Sequence, residues 1–254
     1  MQSLGFETIN SQLFELYNHN WSALTHRLKN EKADYTFPFL LHVNEQEWLS
    51  ADLKIMICGQ ETKGWWEHQS KALQWNVSDI MDFYEKSYHQ QKIYSLKGKR
   101  HGAFFKGFNF FRRHITQINK TSDVKISFIC NNLRKIGRSG RQTGVCPISN
   151  QIEREVFPVF SEEVRILKPD LIIFMTGPSC DSDIVFHFPQ AIFNQSNTSS
   201  TPNALSIING ISPYSLRCYH PAFYKGFNSE LKRNMKGILD SFLKQLIMEE
   251  AHKS

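Results

Sequence analysis

Three residues of the kinds that do chemistry each follow a short apolar run. Glu61 comes just after LKIMICG, Asn132 closes VKISFICNN, and His220 closes SLRCYH. Glu61 is the one carboxylate near the end of any apolar run that reads as a core strand. Asn132 carries both an acceptor and donors, so it can bind the edge of an amide-like base. His220 precedes Pro221, which biases its backbone to an extended form. Taken singly, each has a plainer reading: a solvated loop acid, a turn cap and a structural histidine. Taken together at three strand ends, they make a set that binds a base and stabilises a leaving group.

The elements that must position them follow from hydrophobic patterning. Residues 8–30 place Ile9, Leu13, Leu16, Tyr17, Trp21 and Leu24 at helical spacing. Residues 53–58 read as a buried strand running into a turn at Gly59. Parts of 60–104 look helical, particularly 78–91, and helical spacing resumes over 105–118. Strands are expected at 124–132 and 171–177, with a further short one possible within 206–213. Helices are expected at 151–167, 183–188 and 227–249. Strands alternating with helices predict an α/β fold in one domain over 1–254, with a mostly parallel four-stranded sheet and helices on both faces. Residues 1–50 form an N-terminal helical region. In such sheets, functional groups gather beyond the carboxyl ends of the strands. Four places meet that rule: Gly59-Gln60-Glu61, Asn131-Asn132, Thr176-Gly177-Pro178 and His220-Pro221.

Composition narrows the partners. The chain has 254 residues, 41% hydrophobic and 21% charged, enough to bury a core without staples. Lys and Arg outnumber Asp and Glu by 30 to 24, a net charge of +6 that favours a polyanionic partner. Arg134, Lys135, Arg138 and Arg141 crowd one segment that also holds Gly137 and Gly140. Its plainer reading is a solvated loop. The five cysteines, Cys58, Cys130, Cys146, Cys180 and Cys218, form no CxxC pair and carry no metal signature. Cys58 and Cys130 lie within apolar runs and read as small buried hydrophobes. The N-terminus lacks the pattern of a signal peptide, and no apolar run approaches the ~20 residues that span a bilayer. A cytoplasmic protein without membrane attachment is expected.

Four segments, in order, resemble the motifs of the uracil-DNA glycosylase superfamily. KIMICGQET (54–62) is similar to its first motif, an apolar strand followed by Gly-Gln-Asp-Pro or Gly-Glu-x-Pro. FICNNLRK (128–135) resembles the strand ending in an asparagine that reads the base. VFPVFSEEVRILKPDLIIFMTG (156–177) is similar to the helix and strand that follow. CYHPAFYKG (218–226) resembles the His-Pro-Ser motif and the intercalation loop behind it. The resemblance spans residues 54–226.

The resemblance implies roles. Glu61 would orient or deprotonate water and stabilise positive charge on the sugar. Gly59, Gln60 and Asn132 would bind the flipped base, and His220 would donate to the base oxygen that becomes anionic. Phe223 and Tyr224 would wedge into the duplex. Lys225, Arg134, Lys135, Arg138 and Arg141 would contact DNA. GAFFKGF (102–108) resembles the family's Gly-x-Pro-Phe-x-Gly and offers Phe105 as the ring stacked on the base. Trp75 is a second candidate, and either could simply be core. DNA is the implied partner, acted on by a monomer. No cofactor or metal is expected, because EVFPVF (155–160) lacks the cysteine of the branch that carries an iron–sulfur cluster.

The departures from the family pattern bear on specificity. Glu61 stands where many members have aspartate or asparagine, and Thr62 replaces the usual proline. Lys63 replaces the tyrosine that excludes the thymine methyl group, and Ala222 follows His220-Pro221 in place of serine. A pocket open at the 5-position of a pyrimidine is the expectation, with residues 65–104 as a variable insertion that sets specificity. The implied activity is release of uracil or a modified pyrimidine, in DNA repair or in defence against modified viral DNA. The alternative is a non-catalytic nucleic-acid or nucleotide-binding protein of the same fold. An unrelated α/β hydrolase or transferase finds no GxSxG elbow, and Gly137 and Gly140 lack P-loop spacing.

Overall fold

The computed structural model describes residues 7–31, 35–36, 38–62, 75–90, 102–119, 123–138, 146–195, 203–223 and 227–251. The chain forms two compact units, each assembled from three separate segments. A helical unit takes Met1–Gln46, Glu61–Ile93 and Arg134–Leu167. A sheet unit takes Glu47–Gln60, Tyr94–Leu133 and Lys168–Ser254.

The sheet unit is built on β1 (Leu53–Gly59), β2 (Ile126–Asn132), β3 (Leu171–Met175), β4 (Ile192–Gln195), β5 (Leu205–Asn209) and β6 (Tyr214–Cys218). They form one sheet in the order β2-β1-β3-β6-β5-β4. β2, β1, β3 and β6 run parallel, while β5 pairs antiparallel with both β6 and β4. The fold is therefore α/β around a six-stranded, mostly parallel sheet, not the four strands expected. Three of the expected strands are the parallel β1, β2 and β3; the one expected within 206–213 falls on antiparallel β5, and parallel β6 was not among those expected. All five residues of β3 are buried, as continuous apolar runs in parallel sheets require. β4 escaped notice because it has no buried face: Ile192 is 62% exposed, and the strand's order comes from its ladder with β5. Asp170 starts β3 by accepting from the Lys54 backbone N–H at 2.8 Å and donating its own N–H to the Lys54 carbonyl.

Helices follow the expected apolar spacing, with one break. They are α1 (Ile9–Lys29), α2 (Glu45–Leu49), α3 (Val77–Tyr84), α4 (Ala103–Ile118), α5 (Pro147–Val156), α6 (Phe160–Leu167), α7 (Asp181–His187) and α8 (Ser229–Ala251). α3 begins with a reciprocal capping box between Asn76 and Asp79 and runs into a π-helical turn, Glu85–Gln90. The single helix expected over 151–167 is two, because Pro158 cannot donate to a continuing helix. In the helical unit, Tyr84 and Tyr88 stack at 4.5 Å, and Phe39 meets both rings edge-on. All five cysteines are buried free thiols. Among the described residues, no helix is long and apolar enough to cross a membrane.

Candidate functional site

In the sheet unit, the carboxyl ends of the parallel strands carry the expected residues. Gly59 ends β1 in register with Asn132, which ends β2. A methyl group at Gly59 would lie 2.6 Å from Asn132 Oδ1 and 3.0 Å from two ring carbons of Phe104. The missing side chain thus lets an amide and an aromatic ring close over the end of β1. Asn131, alternating to the other face, accepts the Asn132 N–H on its Oδ1 at 2.8 Å. Gly59→Ala is expected to lower unfolding stability by about 1–3 kcal/mol through overpacking. Chemical denaturation measures it, and an unchanged midpoint would contradict this packing.

The ring beside Gly59 is that of Phe104, the neighbour in sequence of Phe105, the residue expected to stack on the base. Phe105 meets Phe104 edge-on at 5.2 Å, one position further along α4. Sequence reasoning missed Phe104 because both residues sit in one Phe-Phe pair, and only the helix phase separates them. Gly107 lets α4 press against Pro221 and Met175, which seats the loop after β6 against the same helix.

The other strand ends are braced locally. Gln60 donates from Nε2 to the Thr176 carbonyl at 2.5 Å and so joins the ends of β1 and β3. Gly177 adopts φ +74°, where a side chain would be strained, and would press a Cβ within 3.1 Å of Tyr219. His220 follows β6 by two residues. Its Nδ1 accepts the backbone N–H of Ala222 at 3.2 Å. That bond puts the ring proton of neutral His220 on Nε2, which no described residue engages. Burial lowers the His220 pKa from its ordinary 6.5, which keeps the imidazole neutral at pH 7. The Phe223 N–H closes a turn on the His220 carbonyl at 2.8 Å. The Phe223 ring packs on Tyr219 at 4.6 Å and remains 40% exposed.

The helical unit holds Glu61 and the start of the basic segment. Arg134 Nη1 lies 3.5 Å from Glu61 Oε2, with the two side chains only 16% and 9% exposed. The guanidinium expected at a phosphate is thus the neighbour of the carboxylate. Thr62, next in sequence, shares a 2.8 Å hydroxyl bond with Thr36, which also accepts the Gly137 N–H. A methyl group at Gly137 would collide with the Thr62 carbonyl, so this backbone contact demands glycine. Thr36, Thr62 and Gly137 therefore hold the backbone next to Glu61.

Lys135 turns inward. It is fully buried, with Nζ 2.5 Å from Glu163 Oε2 and lying over the Phe39 and Phe160 rings. Tyr17 donates to the other Glu163 oxygen at 2.6 Å. An ammonium so enclosed does not reach a phosphate in solvent. Glu153 accepts the backbone N–H groups of Lys135 and Ile136 at 2.6 and 3.0 Å. Burial pushes the Glu153 carboxyl up to about 7, against the pull of those donors and of the Lys135 and Arg134 charges. Glu153 and Glu163 had no sequence signal beyond their place among apolar helix positions.

The remaining expected residues are placed as follows. Arg138 forms an isolated antiparallel bridge with Tyr35 in the helical unit. Trp75 precedes α3 and meets Phe83 edge-on at 6.0 Å, beside an open cavity of about 300 Å³. Lys63, Arg141, Tyr224 and Lys225 lie outside the described residues. Compared with known proteins, the chain matches no family model and no curated sequence.

Proposed function

We propose that the protein is a monofunctional DNA glycosylase that hydrolyses the N-glycosidic bond of a flipped-out uracil or modified pyrimidine. The observation that carries this reading is the arrangement at the strand ends of the sheet unit. The Asn132 amide and the Phe104 ring crowd Gly59, and His220 carries a donor proton on Nε2. An amide reads a pyrimidine edge, an aromatic face stacks on it, and a neutral imidazole N–H stabilises an oxygen that gains charge.

The chemistry balances as hydrolysis. The bond from C1′ to the base nitrogen breaks, its electron pair moves into the base, and the base oxygen takes up negative charge. His220 donates a hydrogen bond to that oxygen. Water adds to C1′ and loses a proton, and the base leaves protonated. The reading assigns Glu61 to orient that water and to offset positive charge on the sugar. DNA is the partner, bound by a monomer.

The test is base release from oligonucleotides carrying uracil or 5-substituted pyrimidines and from modified viral DNA, read by alkaline cleavage and mass spectrometry. Abasic sites that disappear with Glu61→Gln are expected. Phe104→Leu is expected to raise KM more than Phe105→Leu. No release from any substrate would sink the proposal. Release of plain uracil alone would refute the open 5-position.

A further inference from the structure

The sheet unit also carries a cationic feature built on α4 and α8 from residues given no role above. Lys232 Nζ lies 5.0 Å from the centre of the Phe227 ring and 5.9 Å from that of Phe110. Lys236 Nζ lies 5.6 Å from the same Phe110 ring. Phe110 and Phe227 meet edge-on at 5.7 Å, so two rings hold two ammonium groups. Lys106 and Arg113 occupy positions i−4 and i+3 from Phe110 on α4, and both are exposed.

Among the described residues, no carboxylate neutralises the Lys232 and Lys236 charges. The α8 carboxylate nearest in sequence after Lys236, Asp240, bonds His114 at 2.8 Å. No described carboxylate forms an ion pair with Lys232 or Lys236. Two ammonium groups held within 6 Å of the centre of one ring are like charges near each other, so the arrangement gains when an anion arrives. The rings also limit the freedom of the lysine stems, so less side-chain entropy is lost on binding. One helical turn separates the two lysines, about 6 Å along the axis. That spacing suits successive phosphates of one strand better than an isolated carboxylate.

We propose that Lys232 and Lys236, set by Phe110 and Phe227, form a phosphate-binding surface that takes the sugar–phosphate backbone of DNA. The surface rests on the nucleic-acid reading above but takes no part in base chemistry. Phosphate contacts position a protein on its duplex and carry no sequence information, so the contact serves any bound sequence.

The experiment is the salt dependence of binding to an unmodified DNA duplex, measured by fluorescence anisotropy on the full chain. Each phosphate contact contributes about 0.9 to the slope of log affinity against log salt. Lys232→Ala with Lys236→Ala is expected to shallow that slope by about 1.8. A control pair, Lys29→Ala with Lys125→Ala, removes two exposed lysines elsewhere and should leave the slope near that of the parent. An unchanged slope in the first pair, or an equal change in the control pair, overturns the proposal. Because the duplex carries no substrate base, the outcome is separate from activity. A shallower slope without base release would keep the surface and refute the glycosylase. Base release with an unchanged slope would do the reverse.

Discussion

Replacing His220 by alanine is expected to slow base release by about 10²–10³-fold, the usual loss for one donor to a developing oxyanion. The direction follows from the tautomer. The Ala222 N–H occupies Nδ1, so the proton of the neutral ring lies on Nε2. Alanine removes that donor and leaves the backbone turn in place, since the Phe223 N–H bonds the His220 carbonyl. The loss should therefore fall on kcat more than on KM. The pH profile supplies a second check. Burial lowers the His220 pKa, so the ring protonates only below its ordinary 6.5. Protonation breaks the bond from the Ala222 amide and turns Nδ1 into a donor. The His220-dependent acid limb should lie below pH 6.5 and be missing from the alanine variant. A rate for His220→Ala within a factor of about two of the parent would remove this residue from the mechanism.

Lys135→Met is expected to destabilise the protein by about 3–5 kcal/mol, the cost of leaving one charge of a buried pair without its partner. The Glu163 carboxylate would remain enclosed, keeping the Tyr17 hydroxyl bond but losing the ammonium that balances its charge. Adding Glu163→Gln should recover most of the loss, because the amide oxygen still accepts from Tyr17 and no charge is left buried. Urea denaturation of the two variants measures both steps. If Lys135 met phosphate in solvent instead, the single variant would weaken DNA binding and leave stability unchanged. The neighbouring Glu153 adds a pH dependence. Its folded pKa is raised from 4.5 to about 7. Its contribution to stability is therefore fully present below pH 4.5 and is lost as the pH rises through about 7.

Some of this was legible from the order of residues alone. Three of the four parallel strands, β1, β2 and β3, the turn at Gly59 and the placement of Asn132 and His220 at strand ends followed from apolar runs and their terminators. These are local signals: a strand buried on both faces must be apolar along its length, and glycine or proline ends it. β4 was not legible, because an exposed edge strand takes its order from a neighbour 11 residues or more along the chain, as in Gln195 opposite Ser206 and Ile192 opposite Asn209. The break at Pro158 carried a local signal, and the helical spacing on either side of it masked the interruption.

What only the tertiary structure decided is which member of a similar group does what. Phe104 and Phe105 are the same residue type, one position apart. About 100° of helix rotation turns one toward Gly59 and leaves the other beside it. Arg134 and Lys135 read alike as basic loop residues, yet Arg134 lies beside Glu61 and Lys135 is enclosed with Glu163. The partner of a charge is set by which distant segment packs against it: Glu163 is 28 residues from Lys135, and Tyr17 is 146 from Glu163. Residue type determined what each group could do, and long-range packing determined whether its charge faces water or another charge.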